Sequence, residues 1–107
     1  MATLVLPVRS DFKAYSFQLE LETVVYTFFF GYNTRRERWY MRIEDVAGVE
    51  ILNDIPILVN IPLTDQFRLT GLPPGRFIAI DETGQNRNPT ADNFGTDIKL
   101  FYQESEV

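Results

Sequence analysis

From Tyr15 to Ile43 the chain alternates between apolar and polar positions with a period of two, interrupted by short polar turns. Tyr15, Phe17, Leu19 and Leu21 fall on one side of an extended backbone, and Ser16, Gln18, Glu20 and Glu22 fall on the other. Trp39, Met41 and Ile43 resume the pattern after an Arg-rich turn. Between these runs, Val24 to Tyr32 differs. Val25, Tyr26, Phe28, Phe29 and Phe30 put bulk on both faces, as in a strand covered on two sides. Three such runs predict an antiparallel meander with one apolar face. Two-sided cover in a small domain implies a sandwich, a closed barrel, or a partner chain on the second face.

The flanking segments extend this pattern. Thr3 to Val8 reads as a first strand, with Pro7 tolerable at a sheet edge, and Arg9 to Ala14 as a polar connection. Glu22-Thr23 closes the first hairpin, although neither residue favours the positive φ of a tight two-residue turn. Asn33 to Glu37 turns the chain into the strand Arg38 to Asp45, and Asp45-Val46-Ala47-Gly48 is a strong turn segment before the short strand Val49 to Leu52. Asn53 to Pro62 carries two prolines and reads as an extended edge or loop. Asp65 to Thr70 suggests a short strand or a helical turn, and Gly71 to Gly75 a rigid loop. Phe77, Ile78 and Ile80 form a strand ending at Asp81. Glu82 to Gly95 is a polar loop of a length usually tied to function or mobility. The closing strand Asp97 to Gln103 puts Ile98, Leu100 and Tyr102 on one side. The expected fold is all-β: a small single-domain β-sandwich or partly open β-barrel built on the antiparallel meander, spanning residues 1–107.

Length supports one core, with about two-thirds of the extended surface buried on folding. Composition narrows the chemistry. Cysteine and histidine are both absent, which removes disulfides, thiolate nucleophiles, imidazole bases and the usual zinc ligands. No enzyme activity and no cofactor or metal are therefore expected. Fifteen acidic against ten basic residues give a net charge of −5, which opposes phosphate neutralisation and attraction to anionic membranes. Eight of the cations are Arg, a residue suited to planar, stacked protein contacts. No apolar run approaches the roughly 20 residues of a membrane span, and the opening Met-Ala-Thr-Leu-Val-Leu-Pro-Val has no basic leader. These features place the chain in the cytoplasm of the cell that makes it, or in an assembly built there.

Several residue groups are candidates for chemistry, each with a plainer reading. Arg35, Arg36 and Arg38 on one turn can grip a carboxylate or a phosphate, or form a solvated hairpin tip balanced by Glu37 and Glu44. Asp81, Glu82, Asp92 and Asp97 flank the long loop but lack the spacing of a calcium hand, so turn capping explains them equally well. Paired carboxylates support glycoside hydrolysis only across a cleft, which nothing here builds. The aromatics from Tyr26 to Tyr40 are mostly core. Tyr40 lies opposite Trp39 and Phe29 opposite Phe28 and Phe30, so one of those faces meets a second sheet or forms an interface patch.

The run F-Q-L-E-L-E-T-V-V-Y-T-F-F-F-G-Y-N-T-R-R-E-R-W-Y-M-R-I-E-D-V-A-G resembles a family of small phage tail proteins of the baseplate plug, or hub-associated, type found in contractile-tailed cyanophages. The family pattern is roughly F-x-V-x-L-[DE]-G-x-x-Y-x-[LF]-x-[FL]-x-[WY]-N-x-R-x-x-R-W-Y-x-x-[LI]-x-D-x-x-G. Phe17, Leu19, Leu21, Tyr26, Phe28, Phe30, Tyr32, Asn33, Arg35, Arg38, Trp39, Tyr40, Ile43 and Gly48 fall on it. Leu72 to Gly75, and Asn88-Pro89-Thr90 with Asp92 and Phe94-Gly95, are similar to the family's second half, so the likeness runs from about residue 3 to residue 103. Thr23 and Asn88 depart from it, where a Gly and an Asp are common.

The resemblance implies a non-enzymatic structural protein of the virion, assembled in the host cytoplasm. It would be held among other tail or baseplate proteins as three-fold or six-fold copies, with neither nucleic acid nor membrane as partner. It carries over no active-site residue. The expected partner contacts are Arg35, Arg36, Arg38 and Tyr40, the N-terminal strand, and the loop residues Gln85, Asn86, Arg87 and Asn93. The alternative is a small β-barrel module that binds host-surface carbohydrate through exposed aromatics such as Tyr32 and Tyr40.

Overall fold

A computed structural model describes residues 3–63 and 75–104. Seven strands occur in the order β1 (Thr3–Val5), β2 (Ala14–Leu21), β3 (Val24–Asn33), β4 (Arg38–Asp45), β5 (Glu50–Pro56), β6 (Arg76–Asp81) and β7 (Ile98–Gln103). They form two antiparallel sheets, one of order β2-β3-β4-β5 and one of order β1-β7-β6. The all-β expectation holds in its sandwich form, and the described residues close no barrel. The short strand or helical turn expected at 65–70, and all of the rigid loop but Gly75, lie outside the described residues.

The period-two pattern decides which residues are buried. Tyr26, Phe28 and Phe30 of β3 and Trp39, Met41 and Ile43 of β4 face Phe77, Ala79, Ile98, Leu100 and Tyr102 of the smaller sheet. Phe28 meets Phe77 edge-on at 5.7 Å, and Phe77 meets Tyr102 at 4.9 Å. Phe94, from the long loop, closes one end against Phe30 and Trp39 at 5.9 and 5.3 Å. The expectation of two-sided cover for β3 needs correcting. One face is buried in the core, while Val25, Thr27 and Phe29 on the other are half-exposed among the described residues. Aromatic bulk at Phe29 signalled something other than a second layer of the same chain.

Turn geometry sets the register. Leu21 pairs with Val24, so Glu22 and Thr23 make a two-residue turn with φ of 50° and 76°. Both occupy the left-handed region that such a turn requires, against their own preference. Glu22 gains a compensating contact, because the Tyr102 hydroxyl donates to its carboxylate while accepting from the Gly75 amide at 2.8 Å. Burial and the Glu22 charge both push the Tyr102 hydroxyl pKa up. At the β4–β5 turn, the Asp45 carboxylate accepts from the Ala47 and Val49 amides, both at 2.9 Å, and Gly48 takes a φ of 85°.

The two short expectations at 49–52 and 53–62 merge differently from the sequence reading. β5 runs from Glu50 to Pro56 as an edge strand with two register shifts against β4. The chain then crosses to the other sheet, where Asn60 and Leu63 donate to Ala79 and Phe77 carbonyls along the free edge of β6. β1 is shorter than expected, ending at Val5, with the Leu6 amide still donating to Leu100.

Replacing Thr23 with Gly removes a β-branched residue from positive φ, which costs an L-residue about 1–2 kcal/mol, against a loss of roughly 0.4–1 kcal/mol from a floppier unfolded chain. Thr23→Gly is expected to raise stability by about 0.5 kcal/mol and Tm by a few degrees, read by thermal denaturation.

Candidate partner-binding surface

The outer face of the larger sheet is built in registered rows. Ala14, Gly31 and Tyr40 form one row across β2, β3 and β4, and Ser16, Phe29 and Arg42 form the next. Two small residues beside large ones leave a hollow. An open depression of about 480 Å³ lies over them, lined also by Asn53 and Asp54 of β5. The β5 wall stands where the strand carries an extra residue opposite β4, with Asp54 at a φ of 55° and its amide donating to Asn53 Oδ1 at 2.9 Å.

Charges around the hollow answer one another. The Arg42 guanidinium contacts the Glu44 carboxylate, lies 3.6 Å from Glu50 Oε1, and sits 5.5 Å above the Phe29 ring. Arg42 Nε is buried without a hydrogen-bond partner, since 3.6 Å is too long for one. Arg36 donates to the Tyr40 hydroxyl at 3.3 Å, and that hydroxyl, with the field of Asp54, pushes the Arg36 pKa further up.

The Arg turn is locally braced and outwardly free. Asn33 Oδ1 accepts from the Arg36 amide at 3.0 Å, and Glu37 takes a φ of 52°. Arg35 and Arg36 are exposed and Arg38 half-buried. Neither Arg35 nor Arg38 forms an ion pair among the described residues. Of the sequence candidates, Arg36 and Tyr40 therefore meet each other, and Arg35 and Arg38 flank them on the same turn.

The long loop, residues 82–97, has a different logic. The Asp81 side chain is fully covered and accepts from Thr83 N at 2.9 Å, Thr83 Oγ1 at 2.6 Å, Arg87 N at 3.0 Å and Arg87 Nε at 2.9 Å. Arg87 reaches on to Asp97 at 3.2 Å. Two of the acidic residues considered as metal ligands thus embrace a guanidinium. Asn93 is buried, with Oδ1 accepting from Thr90 N at 2.6 Å and its carbonyl from the Asp97 and Ile98 amides. Trp39 Nε1 donates to the Thr90 carbonyl at 2.8 Å, and Lys13 Nζ donates to the Ala91 carbonyl at 2.7 Å. The loop is pinned to its own chain, so Arg87 and Asn93 act as its scaffold. Gln85 and Asn86 are exposed, with Asn86 accepting from Asn60 Nδ2 at 3.0 Å.

Sequence reasoning singled out the faces of Phe29 and Tyr40 but missed the hollow and its lining residues Gly31, Arg42, Asn53 and Asp54. One signal was present: a glycine inside a strand marks a bulge or a close approach. The glycan reading also loses its platform. Tyr32 packs on Trp39 at 5.4 Å beneath the Lys13 ammonium at 5.7 Å, and the Tyr40 hydroxyl is engaged by Arg36.

The family model described as cyanophage baseplate Pam3 plug gp18 matches residues 3–105. No curated protein matches the chain.

The Asp81 network generates an acid-stability prediction. Hydrogen bonds from Arg87 and Thr83 hold its carboxyl well below the usual carboxylate range. A depressed native pKa means that the unfolded chain takes up the proton first. The stabilisation is present above the ordinary carboxylate value near 3.8 and is lost as pH falls below it. Denaturation midpoints measured between about pH 6 and pH 2 should fall steeply in the unsubstituted chain, and Asp81→Asn should lower them at neutral pH while flattening that slope.

Proposed function

The chain belongs to the cyanophage baseplate plug family, and on that premise we propose how this structural baseplate plug protein engages its neighbours. The carrying observation is the family match across residues 3–105, nearly the whole chain. Its place is the tail baseplate of the virion, among other baseplate proteins.

The protein works by packing alone, without catalysis, as one domain assembled in the host cytoplasm. Support for this reading comes from the absence of histidine and cysteine and from carboxylates committed to Arg87 and Arg42. The Arg turn is the principal contact. Arg35, Arg36 and Arg38 project beside Tyr40, and guanidinium groups on a short rigid turn suit carboxylates and aromatic faces of a partner. Gln85 and Asn86, at the exposed part of the long loop, make a second contact, for which Arg87 and Asn93 supply the rigid support. The short edge strand β1 offers unpaired backbone groups to a neighbour. Several identical copies, three or six, fit around a tail axis.

Charge reversal tests the Arg turn. Arg35→Glu with Arg38→Glu removes no ion pair among the described residues, so stability, read by thermal denaturation, should stay within the range of ordinary surface changes, about ±0.5 kcal/mol. The amount of the chain in purified virions, quantified by mass spectrometry after complementation, should drop about tenfold or more, which corresponds to ~1.4 kcal/mol of lost contact. Wild-type incorporation of the double variant would remove the turn from the interface.

A further inference from the structure

We infer that the free edge of β2 is a docking surface for a second copy of this chain. The second copy adds its own β2 antiparallel about a two-fold axis, joining the two larger sheets into one continuous sheet. The inference goes beyond the baseplate reading above, and the isolated chain tests it.

Among the described residues the two sheets end in the edge strands β1, β6, β2 and β5, and all but β2 are blunted. β1 is three residues long. β5 is broken by two register shifts against β4 and ends at Pro56. The edge of β6 is taken up by Asn60 and Leu63, whose amides donate to the Ala79 and Phe77 carbonyls. β2 has none of these protections. It runs for eight residues, Ala14–Leu21, in unbroken register with β3 and without proline, glycine or lysine. Its hydrogen-bond phase follows from the two ends of the hairpin. Leu21 pairs with Val24 across the turn, and the Lys13 carbonyl accepts from the Tyr32 amide at 2.8 Å. Tyr15, Phe17 and Leu19 therefore spend their backbone groups on β3. The N–H and C=O groups of Ala14, Ser16, Gln18 and Glu20 point away from the sheet, and none bonds to backbone elsewhere among the described residues. A long, regular edge of this kind is a template for another strand.

Charge makes a second copy the occupant. One end of the four-stranded sheet, at the β3–β4 turn, carries Arg35, Arg36 and Arg38, and the other carries Glu20, Glu22, Glu44 and Glu50. Glu37 offsets one of the cations and Arg42 one of the carboxylates, which leaves the two ends opposite in sign. An antiparallel two-fold brings the basic end of each copy beside the acidic end of the other. Parallel pairing would instead align Glu20 with Glu20 of the second copy. Complementarity of this kind selects partner and orientation. The core margin agrees. Tyr15, Phe17 and Leu19 pack against the core yet stay half-buried, because β2 is the last strand of its layer. The register that uses the whole strand sets Ser16 opposite Gln18 of the second copy and Ala14 opposite its Glu20. Phe17 then meets Phe17 of the second copy at the axis, and Tyr15 meets its Leu19, so the apolar layer runs on across the junction. Six copies around a tail accommodate such pairs, and three do not.

Ser16→Pro tests the edge. The Ser16 N–H faces outward, so a proline there removes no bond to β3 while blocking an added strand. Analytical ultracentrifugation should show the unsubstituted chain dimeric at about 100 µM. Ser16→Pro should self-associate at least about tenfold more weakly, with an unchanged far-ultraviolet circular dichroism spectrum. Hydrogen exchange on the unsubstituted chain gives a second reading that needs no variant. The Ser16 and Gln18 amides should exchange at least about tenfold more slowly in concentrated than in dilute protein, and the Phe17 and Leu19 amides should be protected in both. A monomer at about 100 µM overturns the pairing. So does undiminished self-association of Ser16→Pro, or exchange at Ser16 and Gln18 that does not depend on concentration.

Discussion

The seam between the two sheets is a chain of rings, and the other features are arranged around it. Phe28 meets Phe77, Phe77 meets Tyr102, and Phe30 and Trp39 close on Phe94. Rings bury a large area for little rotamer loss, so a few well-oriented contacts hold a small sandwich that has no disulfide to brace it. Trp39 extends the seam sideways. It contacts Tyr15, Tyr32 and Phe94, and its indole N–H fixes the Thr90 carbonyl, so the long loop is anchored by the same residue that fills the core.

The inner face was legible because burial imposes a period of two on any half-covered strand. Tyr15 to Leu21 and Trp39 to Ile43 show it without ambiguity, and the closing strand repeats it at Ile98, Leu100 and Tyr102. What resisted reading depends on residues far apart in sequence. The β5 bulges exist only relative to β4, and no composition of Ile51 to Asp54 announces them. The Glu22-Thr23 turn defies local preference because the strands on either side set the pairing. Asp81 and Arg87 were both visible as loop residues. Their mutual capture is a property of the folded loop, and from sequence the carboxylate reads equally well as a cation ligand or a turn cap.

The two outer surfaces divide the protein into a self-contained part and an unfinished part. The loop between β6 and β7 satisfies its own polar groups through Asp81, Arg87 and Asn93. The four-stranded sheet leaves a hollow and a turn of outward guanidinium groups. For a component of a permanent assembly, such incompleteness in the isolated chain is what a fitted neighbour would repair.

Strand pairing also orders events in time. The meander β2-β3-β4-β5 joins neighbours along the chain, so it can zip up from local hairpins while later residues are still being made. The second sheet cannot. Thr3 pairs with Gln103, a closure far longer than any hairpin of the meander, and β7 sits between its two companions. Without β7 the smaller sheet loses its central strand, and Phe28, Phe30 and Trp39 face only part of their opposing layer. Assembly of the second sheet, more than any hairpin of the meander, is therefore the step that closes the core.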